Sequence, residues 1–155
     1  PDSENIPLSK RAKLIMRVNR DQINSIKTIE GKKIELFGNI LKIGKSKVKS
    51  FLVVKDLFCR FVISDTKTSE DDFLNKIQTE LRNFNINIRK ALCGKSMLVN
   101  FGKETVYTRS LMIADLSKEE SLKLQEEGVG EKKLFGCGIF LPHKSIDAVN
   151  NFKED

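Results

Sequence analysis

Several features on which membrane, metal or cofactor chemistry is commonly built are missing from this chain. No run of about 18 apolar residues suits a membrane-spanning helix, and no signal-peptide pattern opens the sequence. Cysteine is scarce: Cys59, Cys93 and Cys137 are odd in number and far apart, with no CxxC pair and no zinc spacing. That usage points to a reducing compartment, and so to a cytoplasmic protein. Histidine occurs once, at His143, and no compact set of metal ligands is visible, so neither a metal nor a cofactor is expected. No low-complexity stretch interrupts the chain. It opens on Pro1 rather than Met, as a processed or trimmed piece of a longer protein would.

What the chain does contain is positive charge and glycine. Its 155 residues carry 28 Lys and Arg against 21 Asp and Glu, a net charge of +7. Such an excess favours RNA, DNA or another anionic surface as partner. A lysine-rich proteome would explain the count, but less easily the grouping of lysines among glycines. That grouping is clearest in the segment from Gly128 to Gly138, where Gly128, Gly130, Gly136 and Gly138 surround Lys132 and Lys133. A Walker loop runs from strand to helix and ends in Gly-Lys-Ser/Thr. Here the loop follows a predicted helix, leads into a predicted strand, and has no Ser or Thr after its lysines. It suits an extended polyanion better than a nucleotide.

Hydrophobic residues make up 39% of the chain, enough for a packed core. Residues Ala12 to Val18 alternate as a strand, and a short helix follows with Ile23, Ile26 and Ile29, capped by Asn19 or Asp21 and ended by Gly31. Strands are expected near Lys33 to Phe37 and Asn39 to Ile43. Residues 1–50 thus read as a partial ferredoxin-like domain of order β-α-β-β. Residues 51–155 read more completely. Leu57 to Ile63 is a strand. A helix capped by Thr68 or Ser69 carries the stripe Phe73, Leu74, Ile77, Leu81 and Phe84. Strands follow near Arg89 to Cys93 or Ser96 to Phe101, and near Thr105 to Ala114. Ser117 and Glu120 form a capping box for a helix from Lys118 to Glu127, and Lys133 to Leu141 is the last strand. The order is βαββαβ, which makes the chain α+β with tandem ferredoxin-like (RRM-like) domains, the first truncated at its N-terminus.

The run Leu124-Gln125-Glu126-Glu127-Gly128-Val129-Gly130, followed by Gly136-Cys137-Gly138, resembles the C-terminal signature of the CRISPR repeat-RNA processing endoribonucleases (RAMP superfamily, Cas-six type). Within that family it is most similar to the subgroup ending in LQE-x-G-x-G and GCG. Weaker similarity extends back through Phe73 to Ile86 and to Glu30-Gly31-Lys32. The resemblance implies recognition of a CRISPR repeat hairpin and metal-independent cleavage by the RNA 2′-hydroxyl, yielding mature guide RNA. It also implies partnership with other subunits of a CRISPR effector complex. In the subgroup resembled, a strand and helix with a cleavage-associated histidine precede the segment that matches Ala12 to Val18, and this chain has no matching region. Either that segment is missing, or this member holds the RNA handle without cutting it.

Candidate residues follow. RNA contacts are expected from Gly128, Gly130, Lys132, Lys133, Gly136 and Gly138, through backbone N–H groups and lysine side chains on phosphates. A helix cap followed by a tightly packed strand is the alternative reading of these glycines. Tyr107 and Arg109 alternate on one strand and are expected to project together onto the open sheet face, with ordinary sheet surface as the alternative. Lys45 and Lys47, with Lys42 and Lys49, form a basic edge for the hairpin stem, or a solvated turn. His143, beside Lys144, is the candidate catalytic residue, and a solvated loop histidine is the alternative. Phe135 is expected in the core rather than as a platform for a base, and Cys137 as a small packed residue rather than a nucleophile.

Overall fold

The structure, a computed structural model, describes residue 9 and residues 13–36, 38–65 and 68–143. The chain divides into two compact units, Pro1–Ser50 and Phe51–Asp155. Unit 1 holds a 3-10 turn at Arg20–Gln22 that runs into helix α1 (Ile23–Lys27), then an antiparallel hairpin of β1 (Lys33–Leu36) and β2 (Asn39–Lys42). Gly31 N–H donates to the Ile43 carbonyl and Ile43 N–H to the Lys32 carbonyl, so the ladder continues one pair beyond the strands. Of the strand expected over Ala12 to Val18, the described residues 13–18 take no regular structure, and Leu14 and Ile15 are exposed. A strand needs a hydrogen-bonding neighbour, and among the described residues β1 and β2 pair only with each other.

Unit 2 has the ferredoxin-like order. Strand β3 (Leu57–Ser64) leads to helix α2 (Glu70–Arg82), then β4 (Lys90–Cys93), β5 (Met97–Phe101), β6 (Glu104–Ala114), helix α3 (Lys118–Glu127) and β7 (Leu141–Pro142). The two alternatives for the second strand are both realised, because the long β6 pairs with β4 along its C-terminal half and with β5 along its N-terminal half. The sheet runs β4/β5, β6, β3, β7, antiparallel throughout.

Helix α2 forms because acids fill its first turn, Ser69 Oγ accepts from Asp72 N–H, and Phe73, Ile77 and Leu81 recur every four residues. These three are fully buried against Leu57, Cys59 and Val62 of β3 and Leu111 and Ile113 of β6, each worth roughly 1.5–3 kcal/mol of burial. A bulge in β3 between Cys59 and Val62 breaks the period of two. It puts Val62 in the core where strict alternation would put Phe61. Helix α3 has a polar buried face instead. Its Gln125 Nε2 donates to the Leu52 carbonyl at 2.8 Å, and Val54 N–H donates to Ser121 Oγ at 3.3 Å, which ties the segment entering β3 along the helix.

Candidate nucleic-acid interface

The glycine segment leaves α3 at Gly128 and reaches the sheet at Gly138. The strand expected from Lys133 is replaced by a 3-10 turn at Lys133–Phe135, and only Leu141–Pro142 is strand. The reason lies in how the loop's own hydrogen bonds are spent. Phe135 and Gly136 N–H donate to the Lys132 and Lys133 carbonyls, Cys137 N–H to Lys132 O, and Gly138 N–H to the Phe61 carbonyl exposed by the β3 bulge, at 2.7 Å. Val129 N–H donates to Gly138 O, and Gly130 N–H to the carboxylate of Glu80 on α2 at 2.8 Å. Gly128 N–H donates to the Leu124 carbonyl, so the N–H groups of Gly128, Gly130, Gly136 and Gly138 are all used inside the protein, and only side chains of the loop are left for an anion.

Those side chains differ in availability. Lys132 Nζ is 2.7 Å from the Glu104 carboxylate and 5.8 Å from the centre of the Phe101 ring, so its charge is already matched. Lys133 is exposed, and so is Lys103 at the β5–β6 turn. Phe135 is not core: it is 70% exposed and meets Phe101 edge to face at 5.6 Å, while Leu134 beside it is 100% exposed. Glu80, Phe101 and Glu104 were not legible as loop partners, since they lie 50, 34 and 28 positions from Gly130, Phe135 and Lys132. Cys137 is packed as expected. Burial raises its thiol and pushes that of Cys59 up to about 11, so neither is a ready nucleophile.

Arg109 and Tyr107 do share a face of β6, but it is the face that α2 covers. The Arg109 guanidinium donates to the Gly94 carbonyl at 3.1 Å and the Thr68 carbonyl at 3.2 Å, and lies over the Phe73 ring. It fastens the start of α2 to the β4–β5 junction; Tyr107, opposite Ser64 and Leu98, is part-exposed further along. Arg109→Ala is expected to lose roughly 1–2 kcal/mol of stability, read as a lower urea midpoint. An unchanged midpoint would instead leave this side chain free for a ligand.

In unit 1, Lys45 and Lys47 are exposed on a segment pinned at Ser46, whose N–H and hydroxyl both bond the Glu30 carboxylate. Those bonds hold the Glu30 carboxyl below its usual value. His143 continues the line of β7: its N–H donates to the Asp56 carbonyl at 3.0 Å and its exposed ring lies 5.8 Å from that of Phe58. Lys144 lies outside the described residues. No described helix is long and apolar enough to cross a membrane.

A ferredoxin-like α+β unit whose last sheet connection is a glycine-turned, lysine-bearing loop is the class that this geometry defines. Comparison with protein families matches residues 1–145 to the family described as Cas6 CRISPR, and the chain belongs to that family. A curated relative, the CRISPR-associated endonuclease Cas6 of Myxococcus xanthus (strain DK1622), is 28% identical over 109 residues, covering 70% of this chain and 47% of the relative. The chain thus spans about half the length of the curated relative it matches.

Proposed function

We propose that this chain binds the hairpin of a CRISPR repeat RNA and that, in the whole protein, the RNA is cleaved without a metal to give mature guide RNA. In that reaction a general base takes the proton of the RNA 2′-hydroxyl and the 2′-oxygen attacks the adjoining phosphorus. The bond from phosphorus to the 5′-oxygen then breaks, a general acid protonates the departing oxygen, and a 2′,3′-cyclic phosphate remains. The observation that carries the reading is the rigid loop that presents Lys133 in a basic chain of the Cas6 family. Lys45 and Lys47 suit the phosphates of the stem, and His143 is the candidate for proton transfer. The glycine signature supports the LQE-x-G-x-G subgroup of the RAMP superfamily. Membership of a cytoplasmic ribonucleoprotein complex with other CRISPR effector subunits follows from the same reading.

The test is incubation of the whole protein with repeat RNA from the CRISPR array beside its gene, with EDTA throughout. The expected product carries a cyclic-phosphate end, and His143→Ala is expected to slow its formation by about 100-fold or more. Tight binding without cleavage assigns the chain to holding the RNA handle. Absence of both overturns the reading.

A further inference from the structure

Resting on that reading of the loop, we infer that Phe135, backed by Phe101 and flanked by Leu134, is a stacking platform for one unpaired base of the bound RNA. A lone exposed apolar side chain needs no explanation. Here two adjacent large ones, Leu134 at 100% and Phe135 at 70% exposure, stand at the tip of a single loop. The exposure does not come from a loose loop. Gly130 is held by Glu80, Lys132 by Glu104, and the N–H groups of Phe135, Gly136 and Cys137 all bond within the turn. The loop therefore holds its aromatic ring in the open and spends its polar groups on keeping it there.

The chemistry of the surroundings selects the occupant. An edge-to-face contact uses at most one face of either ring, so at least one face of Phe135 stays clear of Phe101. A flat π-surface in water, with cations around it, matches a nucleobase with its attached phosphate. Lys133 and Lys103 supply those cations, and both are exposed. Lys132 is already neutralised by Glu104 and lies over the Phe101 ring, where it stiffens the platform rather than adding charge for phosphate. Base stacking tolerates any sequence, so the platform selects for an unpaired nucleotide beside the stem rather than for its identity.

The test uses the repeat hairpin with 2-aminopurine placed, one at a time, at each unpaired position, titrated with the chain at several salt concentrations. One position is expected to be quenched on binding. Phe135→Ala removes that quench and weakens binding roughly 5- to 150-fold, with the salt dependence unchanged. Phe135→Trp restores both. Lys133→Ala keeps the quench and lowers the slope of log affinity against log salt by roughly 0.7–0.9. If Phe135→Ala binds RNA like the parent chain, with the quench intact, the platform is overturned and the RNA-binding reading survives. If the parent chain binds no repeat RNA, both fall together.

Discussion

Gly138→Ala is expected to destabilise the second unit by about 3–5 kcal/mol, more than any other single methyl added in the glycine loop. Gly138 sits at φ +66°, and a Cβ there would lie 1.7 Å from the Val129 carbonyl oxygen and 2.9 Å from its carbon. Those atoms are backbone and cannot swing aside. Two ladder-like bonds would be strained as well, since Val129 N–H donates to Gly138 O and Gly138 N–H to Phe61 O. Gly128 meets the same seam from the other side, where a Cβ would lie 2.4 Å from Gly138 O. Gly136 is the control: it too has positive φ, +86°, but a Cβ there meets nothing within 4 Å. Gly136→Ala should therefore cost only about 1–2 kcal/mol of backbone strain. Thermal unfolding of the two variants measures the difference, at roughly 4–8 °C per kcal/mol. Equal losses would mean that the seam is not closed as described.

Glu120→Gln is expected to remove about 2–3 kcal/mol at neutral pH and to flatten the acid limb of the stability profile. The Glu120 carboxylate is nearly buried at the first turn of α3. It accepts from the Arg89 guanidinium at 2.7 and 3.3 Å and from the N–H groups of Ser117 and Asn87. The Arg89 hydrogen bond, opposed by burial and aided by the backbone donors, lowers its pKa from 4.5 to about 2. A carboxyl depressed in the folded state contributes stability that is fully present above pH 4.5 and is lost as pH falls towards 2. Arg89 is half-exposed, so water screens part of the full value. Gln keeps the shape and an acceptor for the backbone but not the charge. The parent and variant curves should be separated above pH 5 and converge near pH 2. Curves that stay parallel across that range would remove Glu120 from any role in acid sensitivity.

Local pattern was a sound guide wherever near neighbours set the structure. The stripe Phe73, Ile77 and Leu81 with its Ser69 cap, the Ser117–Glu120 capping box and the hairpin from Lys33 to Lys42 all stand as the residue spacing implied. Their warrants act within one turn of helix or across one tight turn, so a few residues suffice to state them. The order βαββαβ was legible for the same reason.

Where partners are far apart in the chain, the pattern misled. The alternation over residues 13–18 suits a strand, but among the described residues no strand pairs with it. The Lys133 to Leu141 segment looked like one too, until Phe61, Val129 and Glu80 claimed its backbone and that of the loop before it. Period-two alternation says that Arg109 and Tyr107 share a face, not which face a helix will cover, and α2 covers theirs. As the apolar anchor of a strand beside glycines Phe135 is expected in the core, yet the 3-10 turn and the Glu80 and Glu104 contacts hold it in solvent. By itself, then, the sequence determined the α+β order, the helix boundaries and the basic character of the glycine loop, because these rest on spacing and composition. Tertiary structure alone decided which lysine is free, which arginine is structural and which phenylalanine faces out, because each depends on a contact between residues tens of positions apart.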